Sequence, residues 1–357
     1  MNNIMLHGAT NCKSSNFGDY LYGEIVYKYL VGKGYNVIFY QPSAFFKKYL
    51  DDNGQKNFSK EEADLVIYIP GGYFGEGHSA RLVDNLVQFM RFMPLGIWAA
   101  FKKKLLAVLA VGAGPNKNIL MNFGIKMICN WASIVSVRDN ESYDALRKLC
   151  PSINLKETGD LILASALNGL NDDTQQLKII KEIKNKKKIL LVHYNHDSIA
   201  LEKFAKATKK FLSAYTEYHV VVAADSILSY DNEYFSKFKD LLDNACVHFI
   251  YNDPREMISL LEITDVVITC KLHVGVVACR LGKSVVSVAC HPEKTARFYK
   301  QISADERCID LYTSEVDDIV NLLNKYHNVP VVVNKDVIDT AAKTWGILDA
   351  FLEEYND

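Results

Sequence analysis

The sequence predicts an α/β protein of two Rossmann-like domains, and three observations predict it: the length, the alternation of apolar strands with amphipathic helices, and one polar break near the middle. A chain of 357 residues exceeds what one hydrophobic core normally serves. The candidate strands are β-branched and almost continuously apolar, as in Leu105–Val111 and Val266–Thr269. Strands of that kind are buried on both faces, which implies parallel sheets covered by helices.

In the first half the strands expected are Asn2–Leu6, Asn36–Tyr40, Leu65–Ile69, Leu105–Val111 and Ile134–Val137, with helices at Tyr20–Val31 and Glu141–Lys148. The second half offers Ile189–His193, His219–Ala223, Val247–Ile250, Val266–Thr269 and Ser284–Val288, separated by helical patterns at Leu201–Tyr215, Tyr234–Asp243 and Pro254–Glu262. Between the halves, Asn168–Lys188 holds the polar run Asn171–Gln176, a charged helix candidate and three consecutive lysines. The organisation expected is an α/β domain over 1–168, a linker over 169–188, a second α/β domain over 189–335, and a C-terminal helix over 336–357 packing back toward the first domain. Two doubly wound domains facing across a cleft make a GT-B-like architecture, whose ligands bind at the carboxyl ends of the strands.

Composition excludes some functions. Hydrophobic residues make up 49% and charged residues 23%, and 41 basic side chains nearly cancel 42 acidic ones. A net charge of −1 removes the electrostatic case for nucleic acid, so any anion site must be local. The eight cysteines form no CxxC pair, and several lie in apolar runs, which fits free thiols in a reducing compartment rather than disulfides or zinc. The stretch Met93–Val111 is interrupted by Lys102, Lys103 and Lys104 and falls short of the ~20 apolar residues of a spanning helix. With no signal-like segment before the first strand, the expectation is a cytoplasmic protein without a transmembrane span, which leaves peripheral membrane contact open.

Four segments carry residues suited to chemistry. The loop His7–Asp19 follows the first strand and contains Asn16, Gly18 and Asp19; Asp19 either caps the helix from Tyr20 or offers a carboxylate to a hydroxyl. Pro70–Gly77 follows a strand and is rich in glycine, including Gly71 and Gly72, which lets backbone approach a ligand. Its spacing is neither a dinucleotide fingerprint nor a P-loop. Arg138 ends the strand Ile134–Val137, where a guanidinium is either paired locally with Asp139 or Glu141 or free to grip a carboxylate or phosphate.

The fourth segment runs from Thr264 to Cys279. A strand ends, Lys271 and His273 appear, and a helix of small residues begins at once. The start of such a helix presents free N–H groups and a positive dipole end to an anion, and His273 is placed to exchange a proton. Lys294, after Cys290-His291-Pro292, stands at the next strand end as a second cation. His193-x-x-His196 reads as loop residues, and without a third ligand no metal is assigned.

Taken in order, Asn16-x-Gly18-Asp19, Gly71-Gly72, the Val-Arg-Asp-x-x-Ser segment from Arg138 to Ser142, Gly159-Asp160 and Lys271-Leu272-His273 before a small-residue helix resemble the polysaccharide pyruvyltransferase family. The resemblance runs from the first strand to about Tyr299. It departs at Lys271, where the family usually has arginine, at Leu161, where proline is common, and at Tyr73 in a Gly-Gly-Gly position.

The resemblance implies a GT-B-like transferase that moves the pyruvyl group of phosphoenolpyruvate onto two hydroxyls of a sugar, forming a ketal for the cell envelope. Phosphoenolpyruvate is then a substrate and no cofactor is expected. The partner implied is a sugar or lipid-linked oligosaccharide, with the first domain on the acceptor side and the second on the donor side. On this reading His273 is the general acid and Asp19 a base or acceptor anchor. Arg138 and Lys271 hold the donor, while Asn16, Gly71, Gly72 and Lys294 also line the substrate sites. Fold alone equally admits a GT-B glycosyltransferase using a nucleotide sugar, or a non-catalytic sugar- or anion-binding protein.

Overall fold

A computed structural model describes residues 2–50, 55–75, 82–167, 174–194, 197–243 and 245–355. The chain divides into two compact units: the first comprises the residues up to Ser14, Asp19–Ser165 and those from Asp336 onward, and the second Ser15–Gly18 with Ala166–Lys335.

The first unit contains strands β1 (Asn3–His7), β2 (Asn36–Phe39), β3 (Leu65–Tyr68), β4 (Gly71–Phe74), β5 (Leu105–Ala113), β6 (Ile134–Val137) and β7 (Leu155–Glu157). They form a parallel sheet of order β2-β1-β3-β5-β6-β7, with β4 also paired to β5. The second unit contains β8 (Lys188–His193), β9 (Tyr218–Ala223), β10 (Cys246–Phe249), β11 (Val266–Thr269), β12 (Ser284–Ala289) and β13 (Cys308–Asp310). Its order is β10-β9-β8-β11-β12-β13, again all parallel. Both units are therefore the doubly wound α/β folds that the sequence predicts. Each reverses its strand order once, at β1/β3 in the first and at β8/β11 in the second, and such switch points are where ligands of these folds bind.

The strands sit where the apolar runs placed them because every residue of β3, β6, β11 and β12 is buried. Each fully buried Val, Ile or Leu contributes about 1.5–3 kcal/mol over an exposed one. In the first unit Val66, Leu106, Val108, Ile125 and Ile128 share one core; in the second, Leu190, Val192, Phe204, Val220, Ile268 and Val286 share another. Three short strands, β4, β7 and β13, were not expected. The glycine-rich segment is the clearest difference: Gly71–Phe74 pairs with β5 instead of forming an open loop, while Glu76 and Gly77 lie outside the described residues.

The stretch Met93–Val111 resolves into a helix, Pro94–Phe101, and the start of β5; among the described residues no helix is long and apolar enough to cross a membrane. In the central polar segment, Gln175–Lys184 is helical and Lys188 already opens β8, whereas Asn168–Asp173 lies outside the described residues. The last helix, Lys335–Glu354, packs on the first unit: Trp345 stacks on Tyr29 at 3.8 Å, the Tyr29 hydroxyl donates to Asp349 at 2.7 Å, and Ala341 lies against Gly159. A Cβ on Gly159 would stand 3.0 Å from the Ala341 backbone, so only glycine fits without a shift.

His7 closes β1 completely buried, its Nε2 3.1 Å from the Phe92 carbonyl and its ring edge-on to Tyr40 and Tyr68. Burial pushes its pKa from 6.5 down to about 4, against the pull of the backbone carbonyls. In the unfolded chain the ring protonates near 6.5, so the stability it allows at neutral pH is lost as pH falls from 6.5 through 4. At pH 5 this amounts to about 2 kcal/mol. Urea unfolding at pH 7 and pH 5 should show that loss, and a His7→Gln variant should lack this share of the pH dependence.

Candidate functional site

The second unit gathers its polar side chains at the switch point. His193 is the last residue of β8 and Thr269 the last of β11, and the two are paired in register. His193 Nδ1 lies 2.8 Å from Thr269 Oγ1, and its Nε2 faces Asp225 Oδ1 at 3.7 Å. Asp225 follows β9 and is only 1% exposed. Lys271 Nζ stands 4.0 Å from its Oδ2, and the Asn16 side-chain amide donates to the same oxygen at 3.2 Å. Burial alone would lift the Asp225 pKa, but Lys271, His193 and His273 outweigh it and hold the carboxylate well below its ordinary range.

The segment Ser15–Gly18 is fastened to the same place. The Phe17 amide donates to the Asp225 carbonyl at 3.0 Å, and Ser15 Oγ accepts from the Ile227 amide at 2.6 Å. Gly18 backs directly onto His273: a Cβ there would fall 2.0 Å from Nδ1. The Asn-x-Gly pattern thus has a local cause, an amide for Asp225 and a missing side chain for the imidazole.

Lys271 precedes the helix Leu272–Arg280 and His273 stands in its first turn. The Lys271 amide donates to Thr269 Oγ1 at 3.0 Å, which sets the turn out of the strand. The residue before this helix, Lys271, does not cap it with its side chain, nor does His291 cap the helix Pro292–Gln301 that begins after β12. Lys294 lies in the first turn of the latter. The imidazole of His291 is lowered by burial, then by Lys294 and, more weakly, by Lys271. Two helix starts left uncapped by the residue before them and two ammonium groups therefore share this edge of the second sheet, which favours a bound anion.

In the first unit the residues of the Val-Arg-Asp-x-x-Ser and Gly-Asp segments bind one another. Arg138 is 8% exposed. Its Nη1 donates to the Tyr22 hydroxyl at 3.3 Å and its Nε faces Asp139 at 3.6 Å. The Tyr22 hydroxyl donates onward to Asp160 at 2.7 Å. Asp139 caps the helix Asn140–Leu149 through the Ser142 amide at 2.7 Å, and the Ser142 hydroxyl accepts from the Ala113 amide and donates to its carbonyl, at 2.8 and 3.0 Å. Asp160 accepts from the Ile162 amide at 3.1 Å. Burial lifts the pKa of Asp160 and opposes the charge of Arg138. The ion pairing works the other way, lowering Asp160 and, with Tyr22, raising Arg138. This network fixes the carboxyl ends of β5 and β6. β5 meets β6 through a register shift at Ala110, whose φ is +43° and whose amide donates to Ser136 Oγ at 2.8 Å.

Asp19 lies within its helix rather than ahead of it. The helix runs Phe17–Gly32 and includes Asp19 in its first turn, where its charge adds to burial in raising the Cys12 thiol to about 11. Gly71 is buried in β4 and Gly72 exposed; a Cβ on Gly72 would come no nearer than 4.0 Å to Arg138 Nη2. Gly112 lies inside β5, and a Cβ there would meet the Arg138 guanidinium at 2.9 Å. The eight cysteines are free thiols, four of them buried. Among the described residues no three His, Cys, Asp or Glu side chains are grouped to hold a metal ion. Sequence reading missed two members of the second-unit cluster. It ended the strand Ile189–His193 on His193 but gave that residue no role beyond a loop pair with His196, and it passed over Asp225; His196 lies outside the described residues. An acidic residue closing the run Val220–Ala224 was the available signal.

The sequence model of the polysaccharide pyruvyl transferase family matches residues 16–292, which takes in the motifs from Asn16 to His273. The chain belongs to the polysaccharide pyruvyl transferase family. It is thereby placed among transferases of polysaccharide biosynthesis. No curated protein matches the sequence. Among solved structures, it is similar to UDP-GlcNAc 2-epimerase from Methanocaldococcus jannaschii, at TM-score 0.62 and 12% identity over 98% of this chain and 100% of that one. The UDP-GlcNAc 2-epimerase of Neisseria meningitidis, solved with UDP-GlcNAc bound, gives 0.61 and 13% over 99% and 100%. A glycosyltransferase from Rickettsia africae gives 0.52 and 12% over 98% of each chain. At such identities the likeness shows the GT-B-like fold alone.

The first-unit network makes its own prediction. Arg138→Met leaves Asp160 buried without its cation and should cost about 3–5 kcal/mol of stability. Adding Asp160→Asn should recover part of that loss in urea unfolding, because the two residues are coupled. Additive losses would mean that the two do not act as a pair.

Proposed function

We propose that this family member transfers the pyruvyl group of phosphoenolpyruvate to two hydroxyls of a sugar. The observation that carries the reading is the pair of helix starts in the second unit, at Leu272 and Pro292, left uncapped by the residue before them and each joined by an ammonium group, Lys271 and Lys294. Phosphoenolpyruvate brings a carboxylate and a phosphate three carbons long, and two adjacent anion seats suit it. Arg138 is engaged by Tyr22 and Asp139, as Lys271 is by Asp225, so a bound donor would compete with these partners for both cations. The first unit, with Asp19, Gly71 and Gly72, is left for the acceptor sugar, which a lipid-linked oligosaccharide would also satisfy.

The chemistry asks for three events. A proton adds to the vinyl carbon, a sugar hydroxyl adds at the neighbouring carbon, and the carbon–oxygen bond to phosphate breaks as a second hydroxyl closes the ketal. The products are the cyclic ketal and inorganic phosphate, with no change of oxidation state. In this proposal His273 supplies the proton, Asp19 accepts one from or anchors the acceptor hydroxyl, and Lys271 with the helix start stabilises the departing phosphate. Lysine in place of the family's usual arginine keeps the charge and gives up the bidentate fork, which loosens carboxylate recognition.

Calorimetry with phosphoenolpyruvate and with UDP tests the donor. Phosphoenolpyruvate should bind, and Lys271→Ala should weaken it by about 1.5–3 kcal/mol. Preferential binding of UDP, with no response to phosphoenolpyruvate, would favour a nucleotide-sugar enzyme. His273→Gln, which keeps a hydrogen bond but cannot supply the proton, should lose at least ~100-fold in turnover while still binding the donor.

A further inference from the structure

We propose that Asp225, together with the segment Asn16–Gly18, is the positioning frame that holds Lys271 and His273 in working geometry. The inference rests on the reading of those two residues as donor-side groups and assigns the parts that aim them. Asp225 touches no reacting atom in this account; it acts through its neighbours.

The geometry is specific. Asp225 is a nearly inaccessible carboxylate facing three titratable groups, His193 at 3.7 Å, Lys271 at 4.0 Å, and His273, whose charge it senses. An ionised carboxylate at 1% exposure is costly unless neighbouring charges and donors compensate it, so its surroundings are held to it as firmly as it is to them. Asn16 supplies a hydrogen bond to Oδ2, and the Asp225 backbone carbonyl takes the Phe17 amide. That places Gly18 flat against the imidazole of His273, with no room for a Cβ. Asp225 pulls the ammonium of Lys271 from one side while Gly18 stops the ring of His273 from the other. His193, held by Thr269 at Nδ1, faces the carboxylate with Nε2.

Asp225→Asn in the full chain is the test, because it keeps the shape and an acceptor for Asn16 while removing the charge. In the ligand-free protein, the His273 ring titration followed by NMR should move to lower pH, since a carboxylate favours the imidazolium. Turnover should fall at least about tenfold, short of the ~100-fold that a misplacement of about 1 Å can cost. Affinity for phosphoenolpyruvate should fall by less than turnover does, because the cations that bind it remain although Lys271 is held less firmly. A folded variant with unchanged titration and turnover would overturn the proposal, as would a parallel fall in affinity, turnover and melting temperature, which marks a purely structural role. Should Asp225→Asn not fold, Gly18→Ala decides, since it displaces His273 and leaves the charge in place: turnover should fall at least about tenfold, and unchanged turnover would overturn the frame. If the wild-type protein binds no phosphoenolpyruvate, the donor reading fails, and the His273 titration, which needs no substrate, still decides on Asp225.

Discussion

A carboxylate that water cannot reach has to be answered by charges and donors from the protein, and in the second unit that requirement organises the strand ends. Asp225 draws together the end of β8 through His193, the turn after β11 through Lys271, and the segment before the first long helix through Asn16. Each partner comes from a different part of the sequence, 16 to 271, so the cluster exists only when the sheet has its native order. Parallel β8 and β11 bring His193 and Thr269 side by side in register. Without that pairing the carboxylate would lose His193 and keep only part of the polar setting that its charge requires.

The first unit solves a similar problem for a different end. There the buried ions are Arg138 and Asp160, joined through the Tyr22 hydroxyl, and the result is a rigid strand edge. Several residues that mark the family are satisfied by one another: Asp139 caps a helix, Ser142 bridges to Ala113, and Gly159 admits Ala341. A residue pattern shared by a family can therefore reflect the construction of a site as much as contact with its ligand. In the second unit the balance differs, because Lys271 and Lys294 stand at helix starts that the preceding residue leaves uncapped.

Much of the fold was legible because its strands are buried on both faces and read as unbroken apolar runs. Ile134–Val137 and Val266–Thr269 were placed to the residue for that reason. The short strands escaped for physical reasons: β4 begins with two glycines, and β7 and β13 are three-residue strands at sheet edges, too brief for a periodic signal. Lys271 and His273 were visible because chemistry concentrated in a few consecutive residues at a strand-to-helix turn. His193 and Asp225 were not, since their partners lie 76 and 209 residues away and only the folded sheet brings them close. Asp19 lies inside the first turn because the helix starts earlier than expected, at Phe17, where the chain is fastened to Asp225.

The central claim is that the cations at the carboxyl edge of the second sheet serve phosphoenolpyruvate as a group donor. It is tested most directly by following inorganic phosphate released from phosphoenolpyruvate by the purified full chain across an array of sugar acceptors, with the products weighed by mass spectrometry. The account predicts acceptor-dependent phosphate release matched by a sugar carrying one pyruvate ketal, and its loss in His273→Gln. Acceptor-dependent transfer of a sugar from a nucleotide-sugar donor, with phosphoenolpyruvate left intact, would contradict it.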